Sequence, residues 1–334
     1  MSKRVYNKMF SQDLWDQVNP QNKELLEDFL MDLKAKKRSP QTIKLYTSDI
    51  RGFFCYLVTA YSNRFVLELT KKDLRRYALA LVEERQVSNA RRNVLVASLH
   101  SMLEYAEEDE DWEYEINASR MIKSLQKEPI KPIIFLSDER IMRLFQDLMD
   151  RGEYQKATLL MLAYESAGRR NELAQVEKAS FLDPTRNNTN LVVGKGRKKF
   201  SLLYFETTRQ AAMKWLEQRG DDDIADLFIV PDGDGRWHEA GAMDVYYMFK
   251  SMRALLEDLP GSDEDDFTTH CMRHSALTNF KNGTHNVCRL LGKPGFPLDQ
   301  LQVLAHHDSV ETTRSYLPDL TNEQLEEMFA ISIQ

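Results

Sequence analysis

Two histidines and an arginine lie close together in the segment HCMRH, residues 270–274. On a helix, His270 and His274 fall one turn apart on the same face, with Arg273 beside them. Histidines at this spacing are common zinc ligands, but no glutamate stands between them, and the charge of Arg273 opposes a bound metal. A guanidinium fork beside imidazoles suits a phosphate better. The segment therefore predicts an anion site without a metal.

A second cationic group follows an apolar stretch. Residues 156–166 read KATLLMLAYES, a composition that predicts a buried helix, and Arg169 comes soon after it. Glu172 stands three residues beyond Arg169, so a buried ion pair is one interpretation of this segment. A phosphate site is the other interpretation, since arginine keeps its charge at any relevant pH.

A glycine-lysine-glycine turn marks a different kind of element. In residues 189–205, TNLVVGKGRKKFSLLYF, β-branched and apolar runs flank this turn, and Lys195 lies within it. The pattern predicts a β-hairpin. The rest of the sequence has helical spacing or short loops, so we expect a mainly α chain with one small antiparallel β-sheet.

Four elements in this order resemble the catalytic domain of the tyrosine recombinase (phage integrase) family. They are SAGRRNEL (166–173), VVGKGRKKF (192–200), HCMRHSALT (270–278) and LAHHDSVETTRSY (304–316). The segment SPQTIKLYTSDIRGFFCYL (39–57) is similar to the core-binding domain of the same family. The resemblance covers roughly residues 20–320.

The resemblance implies a site-specific DNA recombinase that cuts and rejoins duplex DNA through a 3′-phosphotyrosyl intermediate. Tyr316 would attack the scissile phosphate, and Lys195 would protonate the leaving 5′ oxygen. Arg169 and Arg273 would bind the non-bridging oxygens, where charge accumulates in the transition state. His270 would act as acid and base towards the tyrosine.

The remaining residues of the implied site have supporting roles. His307, nine residues before Tyr316, would donate a further hydrogen bond to the phosphate. Glu172 and His274 would orient the residues that contact it. Neither a metal nor another cofactor is expected, because the phosphotyrosyl link stores the energy of the broken bond.

Three features depart from the family pattern. Arg170 directly follows Arg169, so either arginine could occupy the first position of the site. His306 stands where the family usually has a glycine, and the spacing to the tyrosine favours His307 over it as the site residue. An additional stretch, residues 289–300, separates the third element from the fourth and has no assigned role.

The resemblance also implies two domains. We expect a helical, SAM-like core-binding domain at residues 20–125, a linker at 126–136 and an α+β catalytic domain at 137–334. A capping pattern beginning at Thr321 predicts a final helix, residues 321–332, with an apolar stripe. In the resembled family the segment beyond the nucleophile often docks into a neighbouring subunit. We therefore expect a homotetramer on two DNA sites, linked through this helix.

Charge is segregated along the chain. The formal net charge is −7, yet residues 34–92 contain 14 Lys and Arg against five Asp and Glu. A locally basic surface attracts a polyanion whatever the overall charge, so duplex DNA is the expected partner. The cations expected to contact its phosphates are Lys44, Lys71, Lys72, Arg75, Arg91 and Arg92.

Other protein classes are excluded by composition. The three cysteines are too far apart for a disulfide framework or a CxxC metal site. The N-terminal segment lacks an apolar signal region, and no run approaches 18 apolar residues. We expect a cytoplasmic protein without a membrane partner.

Two alternatives share part of this pattern. A type IB topoisomerase would use the same chemistry to relax supercoils, but the His-x-x-Arg-His element and the basic helical N-terminal region favour a recombinase. A DNA-binding regulator that no longer cleaves DNA is the other alternative, and the presence of every catalytic residue type argues against it.

Overall fold

The structure of the protein is a computed structural model that describes residues 9–126, 134–256 and 267–314. The chain divides into two compact units, residues 2–131 and, for the main part of the second, residues 132–334. Each unit has its own apolar core.

Several expectations stay predictions. The domain boundaries 20–125 and 137–334 and the linker 126–136 are among them. Tyr316 and the helix expected at residues 321–332 lie outside the described residues.

The described part of the first unit is helical. Its helices are α1 (Gln12–Gln17), α2 (Pro20–Ala35), α3 (Pro40–Ala60), α4 (Lys71–Glu83) and α5 (Asn89–Glu108). The Ser39 hydroxyl accepts a hydrogen bond from the Thr42 backbone N–H at the start of α3. Thr70 and Asp73 form a reciprocal capping box at the start of α4. Both helices therefore begin at residues whose side chains satisfy free backbone N–H groups of the first turn.

The second unit is organised around one buried helix. Its helices are α6 (Asp138–Asp150), α7 (Tyr154–Ser166), α8 (Arg170–Leu173), α9 (Ala179–Leu182), α10 (Glu206–Arg219), α11 (Ala242–Met252), α12 (Thr269–Asn282), α13 (Asn286–Leu291), α14 (Leu298–Leu304) and α15 (Val310–Arg314). Every residue of α7 from Ala157 to Ser166 is buried, which confirms the predicted buried helix. Helices α6, α10, α11 and α12 pack around it. The segment that follows α7 therefore starts from a rigid support.

Two hairpins complete the second unit. Strands β1 (Asn188–Val193) and β2 (Lys199–Leu203) pair antiparallel, with Val192 opposite Phe200, and confirm the predicted hairpin. Strands β3 (Ile229–Pro231) and β4 (Trp237–Glu239) form a second hairpin, whereas the sequence predicted a single small sheet. Each of these strands has three residues, too few for a periodic signal in the sequence.

The additional stretch at residues 289–300 packs against the end of α12. The Phe296 backbone N–H donates to the Phe280 carbonyl at 3.0 Å, and the two rings meet edge to face. A side chain at Gly283, whose φ is +72°, would lie 2.1 Å from the Pro294 carbonyl oxygen. Part of the stretch thus belongs to the packed body of the unit.

None of the helices within the described residues is long and apolar enough to cross a bilayer.

A buried carboxyl group caps α10 from outside the helix. Glu165, which has no exposed surface, accepts hydrogen bonds through Oε2 from the Phe205 backbone N–H at 2.7 Å and from the Thr208 hydroxyl at 2.5 Å. Burial raises the pKa of Glu165 from 4.5 to about 7. Between these two values the folded protein holds the proton, whereas the unfolded chain has released it.

We expect the stability supplied by Glu165 to fall as pH rises from 4.5 to 7. Replacing it with an isosteric amide, Glu165→Gln, removes this loss, worth up to roughly 3 kcal/mol at pH 7. Urea unfolding at pH 5 and pH 8 should show the variant gaining stability over the native protein with rising pH. Glu206→Gln, at an exposed glutamate in the first turn of α10, is the matched control and should show no such trend. An equal effect of Glu165→Gln at both pH values would contradict the prediction.

Candidate active site

Four of the residues predicted to act in catalysis line one pocket of the second unit: Arg169, Lys195, His270 and Arg273. The pocket has a cavity volume of about 590 Å³. Arg169 precedes α8, Lys195 lies in the turn between β1 and β2, and the other two lie on α12. Residues that are far apart in the sequence are thus brought to one open cavity.

Arg169 is both paired and accessible to the pocket. Its side chain, 27% exposed, donates to Glu172 Oε1 at 3.0 Å, and its backbone N–H donates to Glu172 Oε2 at 2.8 Å. Glu172 is buried with 1% exposure. The two interpretations of this segment, an ion pair and a phosphate site, are therefore compatible, because the pair orients the guanidinium without closing it off.

Glycine at position 168 lets the chain turn tightly before Arg169. A side chain there would lie 2.9 Å from the Ser166 hydroxyl and 3.0 Å from Leu173 Cδ2. Ala167, the residue before it, has φ +51° at the end of α7. This turn sets the direction of the backbone between the end of α7 and Arg169.

Arg273 is almost completely buried, with 1% exposure. Its Nη1 donates to the carbonyl of Ala167, and its Nη2 donates to the carbonyl of Ala305 at 2.6 Å. The carbonyl after α7 and the carbonyl after α14 thus hold opposite sides of one guanidinium. This arrangement costs little side-chain entropy when a ligand binds, because the side chain is already ordered.

His307 also contacts Arg273. The Nη2 of Arg273 lies 2.6 Å from His307 Nε2, and His307 Nδ1 lies 2.9 Å from the Thr313 hydroxyl. Because a guanidinium only donates, Nε2 must accept, and the ring proton sits on Nδ1. Burial and the charge of Arg273 lower the pKa of His307 to about 3, so the ring is neutral at pH 7. In this geometry His307 orients Arg273. The resemblance implies that His307 donates a hydrogen bond to the phosphate, and Nε2 could do so only if the ring changed its partner and the position of its proton.

His270 and His274 lie on successive turns of α12 and differ in exposure. His270 is exposed and His274 is buried with 6% exposure, and their rings meet edge to face with centroids 4.7 Å apart. Partial burial at the pocket wall, reinforced by the charges of Arg273 and Arg169, lowers the pKa of His270. A neutral His270 can accept a proton at pH 7.

His306 explains why a glycine is usual at its position. Its φ is +50°, in the left-handed region that glycine adopts most easily. The ring is half-buried and stacks on Phe200 of β2, with centroids 3.7 Å apart and an angle of 18° between the planes. His306 thus contacts Phe200 of the hairpin, whereas His307 contacts Arg273.

The same pocket is lined by further residues, for which the sequence predicted no role in the site: Asn171, Val193, Thr268, Thr269 and Tyr246. Gly194 of the Gly-Lys-Gly turn and Arg170 line it as well. The Arg170 guanidinium lies 5.7 Å from the centre of the Tyr246 ring. Arg170 was visible as a neighbour of Arg169, but no local pattern signals Tyr246, which α11 brings to the pocket.

The described residues end two positions before the predicted nucleophile. Helix α15 ends at Arg314, and Thr313 on this helix is buried against His307. The described residues contain no group of three or more His, Cys, Asp or Glu side chains able to hold a metal ion.

Comparison with known proteins places this site in a family. The model of the phage integrase family matches residues 135–323, more than half of the chain and all four elements of the site. The chain belongs to the phage integrase family. It is a tyrosine site-specific recombinase, and enzymes of this kind recur among its relatives.

The relatives match the recombinase over most of their length. The SPbeta prophage-derived recombinase-like protein YomM of Bacillus subtilis is 26% identical over 316 residues, covering 91% of this chain and 89% of that protein. The tyrosine recombinase XerA of Thermococcus onnurineus is 24% identical over 295 residues, covering 88% and 90%.

Solved structures share the fold of the recombinase. The XerH site-specific recombinase bound to a palindromic difH substrate, in a post-cleavage complex, has a TM-score of 0.65 at 18% identity, with 89% of this chain and 82% of that chain covered. A lambda integrase dimer bound to a COC′ core site has a TM-score of 0.63 at 13% identity, covering 88% and 76%.

The first unit of the recombinase carries the cations expected to bind DNA, and their surroundings differ. Lys44, Lys72 and Arg75 are exposed, and Lys71 is half-buried at the start of α4. Arg91 and Arg92 make internal contacts, described next. The first four therefore lie at the surface of the unit.

Arg91 and Arg92 have structural partners. Arg91 forms an ion pair with Asp49, a carboxylate whose side chain is 1% exposed. Arg92, 6% exposed, donates to the Lys123 carbonyl at 2.8 Å and to the Asn93 side chain at 3.1 Å. Arg91 keeps 42% of its side chain exposed and can still approach a phosphate, whereas Arg92 faces the interior.

Arg51 is a further cation that the sequence did not single out. Its guanidinium lies 4.4 Å from the ring centres of both Phe10 and Trp15. Together with Lys44 and Ser48 on the same face of α3 it lines a pocket of about 400 Å³. The guanidinium is thus within cation–π distance of two rings.

Proposed function

We propose that the recombinase acts on double-stranded DNA carrying specific recombination sites and cuts it through a 3′-phosphotyrosyl link to Tyr316. The observation that carries this proposal is the pocket in which Arg169, Lys195, His270 and Arg273 meet. Each residue type matches a step of phosphoryl transfer, and the comparison structures of XerH and lambda integrase are DNA complexes.

Two guanidinium groups and one histidine prepare the attack. Arg169 and Arg273 bind the non-bridging oxygens of the scissile phosphate and stabilise the charge of the transition state. His270 accepts the proton of the Tyr316 hydroxyl, because its lowered pKa keeps it neutral at pH 7. The positive charges also favour the tyrosinate, whose ordinary pKa is about 10.

Lys195 completes the exchange of protons. As the Tyr316 oxygen bonds to phosphorus, the bond from phosphorus to the 5′ oxygen breaks, and Lys195 gives that oxygen a proton. Rejoining reverses these steps with the 5′ hydroxyl of the second strand. No bond energy is lost to water, so the proposed cycle needs neither a nucleotide nor a metal.

A nicked suicide substrate tests the cleavage chemistry. A nick a few nucleotides 3′ of the scissile phosphate lets the short 5′-hydroxyl fragment diffuse away, so the covalent adduct accumulates. In buffer containing EDTA, we expect a protein–DNA adduct that survives denaturing electrophoresis and disappears after protease treatment. DNA that is bound but never linked would contradict the proposal and favour a non-cleaving regulator.

The DNA product separates recombination from relaxation. A linear plasmid with two cognate sites should yield exchanged products, whereas a topoisomerase-like enzyme would leave the order of the DNA segments unchanged.

We further propose that four protomers assemble on two DNA sites in the cytoplasm, where the DNA substrate of such an enzyme lies. The sequence beyond Tyr316 supports a docking helix. Leu325, Met328 and Phe329 make a short apolar stripe at helical spacing, preceded by the capping pattern that begins at Thr321. A buried aromatic anchor contributes on the order of a few kcal/mol at an interface.

Deleting residues 320–334 should leave folding and single-site DNA binding intact but abolish the tetramer on two sites and, with it, recombination. Sedimentation of the protein with two-site DNA measures the assembly. Phe329→Ala in the full chain is the milder variant and should weaken the tetramer in the same direction. If the truncated protein still forms tetramers on DNA, the segment packs on its own subunit instead.

A further inference from the structure

The turn between α14 and α15, residues 305–308, contacts two parts of the active site at once. On one side, the Ala305 carbonyl and the His307 ring accept hydrogen bonds from Arg273. On the other side, His306 and Asp308 contact the hairpin that carries Lys195. Ala305 and His307 thus contact Arg273, whereas His306 and Asp308 contact the hairpin.

The contact of His306 with the hairpin is a stacked pair of rings. His306 lies 3.7 Å from Phe200, centre to centre, with 18° between the ring planes. Aromatic stacking of this kind contributes beyond the apolar area that it buries. The backbone of His306 supports the contact at a cost, since φ is +50° and a glycine would adopt it more easily.

Phe200 transmits the contact to the turn that holds Lys195. Its ring lies directly under Gly194, where an added side chain would meet ring atoms at 2.6 and 2.8 Å. Gly194 immediately precedes Lys195, and its backbone N–H closes the turn by donating to the Lys198 carbonyl at 2.8 Å. The chain from His306 through Phe200 to Gly194 therefore reaches the residue next to the proposed acid.

A second contact links the same two segments at the surface. Lys198 of the hairpin turn forms an ion pair with Asp308, and the side chains are 55% and 74% exposed. Exposed pairs of this kind stabilise little by themselves, so the stacked rings are the stronger of the two links.

We propose that His306 is a positioning residue that docks the Lys195 hairpin against the Arg273 side of the pocket through its stacking on Phe200. The inference rests on the proposed role of Lys195 as the acid for the leaving 5′ oxygen. General acid catalysis requires the donor to lie within hydrogen-bond reach of that oxygen, and small displacements cost large factors in rate. A hairpin without this support would present Lys195 in the correct position for only part of the time.

His306→Gly tests the inference with little backbone strain, because glycine favours the observed φ. We expect cleavage of a normal suicide substrate to slow by about 10- to 100-fold. On a 5′-bridging phosphorothiolate substrate, whose thiolate leaves without a proton, the slowing should nearly vanish. His306→Phe, which keeps an aromatic ring, should recover most of the rate on the normal substrate.

A second readout is independent of chemistry. Hydrogen exchange of the amides of Gly194 and Arg197, both bonded within the turn, should be faster in His306→Gly than in the native protein and in His306→Phe. Lys198→Ala, which removes the exposed ion pair, should change either readout by no more than a few fold.

The outcomes separate this inference from the proposed function. If Lys195→Ala slows both substrates equally, the acid role itself is wrong, and the exchange experiment alone then decides whether His306 docks the hairpin. If Lys195→Ala is rescued by the thiolate but His306→Gly cleaves at the native rate, the positioning role is wrong. Equal slowing of both substrates by His306→Gly would show a merely structural role and would also overturn the inference.

Discussion

Tyr316→Phe abolishes covalent cleavage and leaves DNA binding near the native level: this is the largest effect that we expect of a single substitution. Losing the hydroxyl removes the attacking oxygen, and phenylalanine has no other nucleophilic atom. The loss in the rate of adduct formation should be on the order of 10⁴-fold or more. A nicked suicide substrate measures cleavage, and a gel-shift titration of the same DNA measures binding.

The pocket itself provides the control. Tyr246 lines it, whereas Tyr247 beside it is not among the lining residues and is 57% exposed. Tyr246→Phe should form the covalent adduct, since we assign the attack to Tyr316. If Tyr316→Phe still links to DNA and Tyr246→Phe does not, the nucleophile is the tyrosine of α11 and our assignment is wrong.

Lys195→Ala is expected to give the second-largest effect. General acids contribute about 10²- to 10⁴-fold to a rate, so cleavage with a normal 5′-oxygen leaving group should slow by a factor in that range. A 5′-bridging phosphorothiolate substrate should lose far less, because a thiolate leaves unprotonated. The ratio of the two rates, measured in single turnover, isolates proton transfer from binding.

Lys198→Ala is the matched control for this experiment. Lys198 lies three residues away on the same turn, carries the same charge and pairs with Asp308. It should show no difference between the two substrates. Equal slowing of both substrates by Lys195→Ala would make Lys195 a phosphate contact, and Lys198 the next candidate for the acid.

Local signals in the sequence account for part of the secondary structure. Serine or threonine before α3, α4 and α6 caps the helix start through a hydrogen bond that spans only three residues. The hairpin around Lys195 follows from glycine and β-branched residues within a short segment. The second hairpin, with three-residue strands, was missed because so short an element has no measurable period.

The order of the four elements was also sufficient for the family. The family model matches residues 135–323, and this range contains every residue that the sequence proposed for catalysis. The reaction requires particular residue types at particular spacings, and both can be read from the sequence without coordinates. The roles of the individual residues stay predictions until cleavage is measured.

The tertiary structure decided which cationic and imidazole side chains form hydrogen bonds with other groups of the protein. Charge alone grouped Arg92 with the surface cations, but the folded chain buries it against the Lys123 carbonyl. Spacing favoured His307 over His306 as the site residue, and the folded chain places its Nε2 against Arg273, which lies 34 residues earlier. Periodicity and capping extend over one or two turns of a helix, whereas these contacts join segments that meet only after folding. The sequence therefore determined which chemical groups are available, and only packing determined which of them hold one another in place.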